Sequence, residues 1–392
     1  MMKVKGFLGN GIASGIKKSG RKDLGIIFSE KPADAAAVFT KNVVKGAPVI
    51  LGMERIKTGL CQALIVNSGV ANTHTGKDGL KRAIQTTKYL SGELKINEDL
   101  IIPSSTGIIG GKLPVKKIKK AIPRLVSGMS ENRLTEVAEA IMTTDKFPKY
   151  SYRNIMIDNK KGTIAAMAKG AGMICPDMAT MLCFILTDIN INRGSMRKAL
   201  RNSVNLTFNR TIVDGDMSTN DSVFLLSNGY LGNSAISGNS KEYRKFEETL
   251  TDLNLELAES MARDGEGATK VVKIVIKGAK SEKQASIVAH TVGTSLLVKT
   301  AFFGEDPNWG RLIAAAGRSG VKFDPEKLEM FFDRIKVVKN GMQCKNEADY
   351  KHIFKKPEFT VTIDLKLGNA SSYVLTSDLT FDYVKLNAHY RT

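Results

Sequence analysis

The chain has 392 residues, 42% hydrophobic and 25% charged, with 35 glycines. That composition excludes a disordered or low-complexity protein, and the length exceeds what one hydrophobic core usually supports, so two domains or one large α/β unit are expected. Fifty-eight Lys and Arg against 39 Asp and Glu give a net charge of +19, but the excess is spread along the chain, which argues against a nucleic-acid footprint and for a solvated basic surface. The opening Met-Met-Lys-Val-Lys-Gly-Phe lacks the apolar core of a secretory signal and no apolar run reaches membrane-spanning length, so a cytoplasmic protein, with no membrane partner, is expected. Cys61, Cys175, Cys183 and Cys344 show no two-residue spacing of a zinc or redox site and read as reduced structural thiols.

In chain order, the apolar runs 24–29, 35–40 and 47–50 read as short strands of a mixed sheet. Ala63 to Val66 is a buried strand that ends in a polar, glycine-marked loop, and from about Asp78 the spacing of Leu80, Ile84, Thr87 and Leu90 predicts a helix. His74, alone in that loop, reads as a polar loop residue. After the apolar pair Ile101-Ile102 comes Pro103-Ser104-Ser105-Thr106-Gly107. Its hydroxyls and the Gly107 N–H could serve a developing oxyanion, or the segment could be a hydroxyl turn that closes a strand. Basic residues around Ile118 and Ile122 predict the wet face of a short helix. A second helix over about Glu131 to Met142 buries Leu134, Val137, Ala138 and Ile141, and stops at Thr143-Thr144-Asp145, a polar pocket wall or merely a turn.

The chain changes character at Lys169-Gly170-Ala171-Gly172, where a glycine-rich, proline-broken loop runs through Ala179 and Thr180 into the apolar run 181–186. That is loop, then buried strand. Thr180 is either an ordinary β-branched residue entering the core or a nucleophile whose hydroxyl cuts the Ala179–Thr180 bond and then uses its own freed α-amine as base. A helix over about Ser195 to Phe208 follows. The loop 212–222 carries Asp214, Asp216 and Asp221 without the spacing or terminal Glu of a calcium site, and reads as hydrogen-bonded scaffolding. A long helix over about Lys241 to Arg263 turns Phe246, Leu250, Leu253, Leu257 and Met261 inward. It ends at Asp264-Gly265-Glu266-Gly267, whose glycines let Glu266 approach a ligand closely. A strand from Val271, a helix over about Glu282 to Ala301, a helix into Ala316 and strands near 359–367 and 373–377 complete the chain.

These loops resemble the bifunctional glutamate N-acetyltransferase/ornithine acetyltransferase (ArgJ) family over nearly the whole chain. The specific marks are Lys-Gly-Ala-Gly-Met-Ile with Met-Ala-Thr-Met-Leu around Thr180, Leu297-Val298-Lys299-Thr300-Ala301, Asp306-Pro307-Asn308-Trp309-Gly310-Arg311, and Ser105-Thr106-Gly107. The resemblance implies a two-domain α/β sandwich with mixed sheets, in the class of self-cleaved enzymes with an N-terminal threonine nucleophile. It implies scission between Ala179 and Thr180 into an α chain, 1–179, and a β chain, 180–392, usually assembled as α2β2. It makes Thr180 the nucleophile and Thr106 and Gly107 the oxyanion hole, and it places Thr143, Lys169, Thr180, Glu266, Asn387 and Thr392 at the substrate. The substrates implied are N2-acetylornithine and glutamate, with no cofactor and no metal. Acetyl-CoA stands as a second acetyl donor that the residues neither require nor exclude, since no nucleotide-binding loop is present.

Cys175, Asp177 and His74 depart from the family's usual alanine, asparagine and cysteine without removing a group the chemistry needs. Two other readings stand beside this one: an amidase or aminopeptidase of the same self-cleaving kind that hands the acyl group to water, and a basic protein that binds nucleic acid with steep salt dependence.

Overall fold

A computed structural model describes residues 2–175 and 181–389. Among these residues the chain forms two mixed sheets. The strands are β1 (Phe7–Ile12), β2 (Leu24–Phe39), β3 (Leu60–Val70), β4 (Ile101–Ile108), β5 (Lys149–Ile157), β6 (Lys160–Lys169), β7 (Leu182–Thr187), β8 (Thr211–Ile212), β9 (Ser222–Ser227), β10 (Val271–Ala279), β11 (Glu329–Phe332), β12 (Ile335–Lys339), β13 (Met342–Gln343), β14 (Glu358–Asp364) and β15 (Ala370–Ser377). The first sheet runs β4-β3-β2-β9-β7-β6-β5, with β1 added on β2; the second runs β13-β12-β11-β14-β10-β15-β8.

The first sheet is organised by β2, whose early part pairs antiparallel with β3 and whose late part, Asp34 to Phe39, pairs antiparallel with β9. The register breaks between Phe28 and Ala33, so one long strand serves two groups of partners, as an irregularity in pairing allows. β7 is buried at every residue and lies between β6 and β9, which is why its sequence is a continuous apolar run without alternation.

Three apolar clusters surround this sheet. The helices Arg193–Leu206 and Lys241–Arg263 close one of them, and all five inward residues expected on the long helix are buried. The helix Leu134–Ile141 contributes Leu134, Val137, Ala138 and Ile141 to the second, while Val115–Ser127 packs Ile118 and Ile122 into the third. The second sheet has its own core, shared with the helices Glu282–Gly293, Leu296–Phe303 and Trp309–Gly317.

Several expectations are corrected. Residues 47–50 open a helix, Ala47–Arg55, with Pro48 in its first turn and Leu51, Gly52 and Arg55 buried one turn on; a four-residue apolar run does not separate strand from helix, and proline suits a helix start. The runs 24–29 and 35–40 are one strand. The helix over 282–301 is two, bent by 59°, because Thr294 and Ser295 interrupt it and Gly293 seats its end against Ile212 and Val374, where a Cβ would come within 2.9 Å of each. The antiparallel pair β5–β6 and the terminal helix Phe381–His389 are elements the sequence pattern did not expose. No single helix among the described residues is long and apolar enough to cross a membrane.

Candidate active site

The segment Ser104–Gly107 is strand, not turn: Thr106 lies opposite Ser68 and Gly107 opposite Gly69 in the parallel ladder of β3 and β4. Gly107 has φ +124, and a Cβ there would stand 2.4 Å from the Gly69 carbonyl carbon and 2.7 Å from the Val70 nitrogen. Only glycine fits both the conformation and the space. Gly107→Ala is therefore expected to lower stability by about 1–3 kcal/mol, read as a lower urea midpoint, and to reduce activity with it; an unchanged midpoint would show that the ladder yields at no cost.

Thr106 is buried, and its hydroxyl oxygen accepts a hydrogen bond from the Lys169 ammonium at 3.3 Å. Lys169 ends β6 and is itself 2% exposed. Burial pulls this ammonium below the usual lysine range and the Lys149 charge adds to that pull, whereas Asp145, Asp221 and Glu266 favour its charged form.

Glu266 reaches the same place from the helix-to-strand loop. Its backbone N–H donates to the Ala171 carbonyl at 2.7 Å, and its Oε2 accepts from Asn387 Nδ2 at 2.9 Å. The approach depends on Gly172, where a Cβ would fall 2.4 Å from the Glu266 carboxyl carbon. Asn387 and Tyr383 come from the helix Phe381–His389, which is tied to the Glu266 loop by the Thr380 hydroxyl donating to the Gly267 carbonyl at 2.8 Å.

Thr106, Gly107, Thr143, Lys169, Glu266 and Asn387 all line one cavity of about 190 Å³. They come from well-separated segments of chain, and they are the described members of the predicted site. Ala179, Thr180 and Thr392 lie outside the described residues, as does Asp177. Both shoulders of the 176–180 stretch are fixed, however. On one side Asp214 accepts the Met173 N–H at 2.6 Å and the Ile174 N–H at 2.9 Å. On the other Asp221 accepts the Met181 N–H at 2.9 Å, just before β9. Backbone donors occupy both Asp214 oxygens and Asp221 Oδ1, which gives these two aspartates of the 212–222 loop a scaffolding role; Asp216 lines the cavity. Burial raises the Asp214 and Asp221 carboxyls, Asp221 well above the ordinary range.

Thr144, Asp214, Asp216, Ser218, Thr219 and Asn220 also line the cavity. Asn220 is the one that sequence reasoning passed over although its bonds are informative. Its amide donates to the carbonyls of Ala71 at 2.7 Å and Ser105 at 2.9 Å, so it clamps the ends of β3 and β4 beside Thr106. Its only local signal was a place in a polar loop before a strand. The Leu297–Ala301 motif is not among the residues that line the cavity. Lys299 is buried and donates to the Thr376 and Ser377 hydroxyls at 3.2 Å each, while Asp378 accepts the N–H groups of Thr269 at 2.9 Å and Lys270 at 3.0 Å. The motif thus supports the loop that carries Glu266. His74 is exposed in a left-handed conformation (φ 55) and lines nothing here, while Cys175 Sγ stands 3.5 Å from His290 Nε2.

With this geometry in place, comparison with known proteins is specific. The model of the ArgJ family matches residues 9–392. The chain is 46% identical over 393 residues to the arginine biosynthesis bifunctional protein ArgJ of Geobacter sulfurreducens and 47% identical over 394 residues to that of Syntrophotalea carbinolica, each alignment covering 100% of both chains. Among solved structures, the crystal structure of arginine biosynthesis bifunctional protein argJ from Bacillus halodurans is similar at 36% identity with a TM-score of 0.51, covering 53% of this chain and 98% of that one.

Proposed function

The chain belongs to the ArgJ family, and we propose that it transfers the acetyl group of N2-acetylornithine to glutamate in arginine biosynthesis, through an acetyl ester on Thr180. The observation that carries this reading is the convergence of Thr106, Gly107, Thr143, Lys169, Glu266 and Asn387 on one cavity. In the first half-reaction Thr180 Oγ attacks the acetyl carbonyl carbon while its proton passes to the α-amine. Thr106 and Gly107 supply the two donors for the oxyanion that forms. Because the Thr106 oxygen already accepts from Lys169, its own proton is left free to donate, and the adjacent cation makes it a stronger donor. Collapse breaks the amide bond, the α-ammonium returns its proton to the departing ornithine amine, and the acetyl group remains as an ester. The glutamate amine then attacks that ester and restores the threonine hydroxyl.

The side chains suit an amino acid with a second cation. Lys169 matches the α-carboxylate and Glu266 the side-chain ammonium of ornithine, and Thr143, Asn387 and Thr392 complete the substrate contacts. An amide is exchanged for an amide, so the cycle needs no cofactor. Glutamate assayed with acetyl-CoA and no acetylornithine distinguishes an enzyme that also accepts the thioester.

The same reading includes scission into 1–179 and 180–392. It is supported by the Bacillus halodurans chain, which is about half as long as this one although nearly all of it aligns. The first sheet takes β1 to β6 from one fragment and β7 and β9 from the other, so the two fragments remain one folded unit after the cut, and pairs of such units make the α2β2 assembly. Among the described residues Cys61, Cys183 and Cys344 form no disulfide, in keeping with a reducing, cytoplasmic setting.

Product analysis tests the transfer. With labelled acetylornithine and glutamate, label is expected in acetylglutamate; without acceptor it is expected on the first peptide of 180–392. Label found only in free acetate would replace this reading with a hydrolase of the same architecture.

A further inference from the structure

Next to the cavity lies a group of charges sealed from water and given no role so far. The Lys149 ammonium, at the start of β5, is 2.8 Å from Asp145 Oδ1 and 2.5 Å from Asp264 Oδ2, with all three side chains at 0% exposure. Burying ions is costly unless each is paired and hydrogen-bonded, and here each is. Asp145 Oδ2 accepts the Thr143 N–H at 2.9 Å, and its Oδ1 accepts the Gly170 N–H at 2.8 Å. One bond holds a residue of the cavity wall and the other holds the residue after Lys169. Asp264 accepts the Lys146 N–H with both oxygens, at 3.2 and 3.1 Å, and stands two residues before Glu266. The cluster therefore ties together the loops that carry Thr143, Lys169 and Glu266, from segments on both sides of position 180.

We propose that Asp145 and Lys149 are positioning residues that set the charge of Lys169, and with it the pH range over which the enzyme holds a substrate carboxylate. This rests on the reading that Lys169 binds that carboxylate. The charged groups facing Lys169 are Asp145, Asp221 and Glu266 on one side of the balance and Lys149 on the other, with Lys17 close enough to feel both Lys169 and Asp145. Burial alone would raise Asp145, but Lys169 and Lys149 outweigh it and hold this carboxyl at about 2. Asp145 is thus a permanent anion beside Lys169. Removing it leaves the lysine easier to deprotonate; removing Lys149 does the opposite.

The test is kcat/KM for acetylornithine as a function of pH in wild type, Asp145→Asn and Lys149→Met. Loss of charge on Lys169 lowers kcat/KM as pH rises, and the substrate's own ionisation is common to all three proteins. Asp145→Asn is expected to move this alkaline limb to lower pH and Lys149→Met to higher pH, each by about 1 unit, the displacement a neighbouring charge produces. In the double variant Asp145→Asn/Lys149→Met the limb should return towards its wild-type place. Uniform loss at every pH with an unmoved limb, in whichever single variant folds, overturns the proposal. A wild type that transfers acetyl while Lys169→Met keeps an unaltered KM overturns instead the assignment of Lys169, so the two failures are distinguishable.

Discussion

Thr180→Ala is expected to leave the protein as one uncut and inactive chain, whereas the wild type is expected to separate on a denaturing gel into two fragments near half size with Thr180 as a new N-terminus. Both outcomes follow from one oxygen. In the proposed scission Thr180 Oγ attacks the Ala179 carbonyl and the amide shifts to an ester, which frees the α-amine; water then hydrolyses that ester to leave the Ala179 carboxylate and restore the hydroxyl, which uses the freed amine as its base. The substitution is not expected to disturb the fold, because the residues on either side are held independently. Met181 is bonded through its N–H to Asp221 and Ile174 through its N–H to Asp214, and β7 keeps its pairing with β6 and β9. Mass spectrometry of the intact and denatured protein reads the result. Thr180→Ser retains the hydroxyl and should still cut to some degree. An intact, fully active wild-type chain would remove the basis of the mechanism, since an amide-bound Thr180 has no free amine.

Thr106→Ala is expected to lower kcat by roughly 10²–10³ with a much smaller effect on KM, the cost of losing one donor to a developing oxyanion. The size of the effect is separable from damage to the fold. The Thr106 backbone stays in the β3–β4 ladder, and among the described residues its side chain takes part in one hydrogen bond, accepting from the Lys169 ammonium at 3.3 Å. Steady-state kinetics on acetylornithine, beside a urea melt of the same preparation, checks both points. Thr106→Ser, which keeps the hydroxyl, should recover most of the loss. A Thr106→Ala enzyme with wild-type kcat would mean that the Gly107 N–H and other groups carry the charge without it.

The elements encoded by a local pattern are the ones legible in the sequence. The helix Lys241–Arg263 was legible because five apolar residues, Phe246 to Met261, recur at helical spacing within its 23 residues, and β7 because an unbroken apolar run after a glycine-rich loop has little choice but burial. The candidate site residues are legible through resemblance to a family, not through spacing; His74, alone in its loop, is exposed and does not line the cavity. The short run 47–50 misled, because nothing in four apolar residues distinguishes a helix start from a strand, and the outcome is settled by Pro48 and by packing one turn later.

By itself the sequence determined the elements whose pattern is long and periodic, the glycines that loops need, and the chemical groups available for acyl transfer. Tertiary structure decided which of those groups meet. Asn220 reaches Ser105 across 115 positions, and Lys149 reaches Asp264 across the same separation. Glu266 meets Asn387 across 121 positions. Such contacts are selected by the pairing of β2 with both β3 and β9 and by the burial of charges that must find partners once water is excluded. No local periodicity encodes them, because the solvent that each side chain loses, and the partner it gains, are set only when the sheets and their helices close around the cavity.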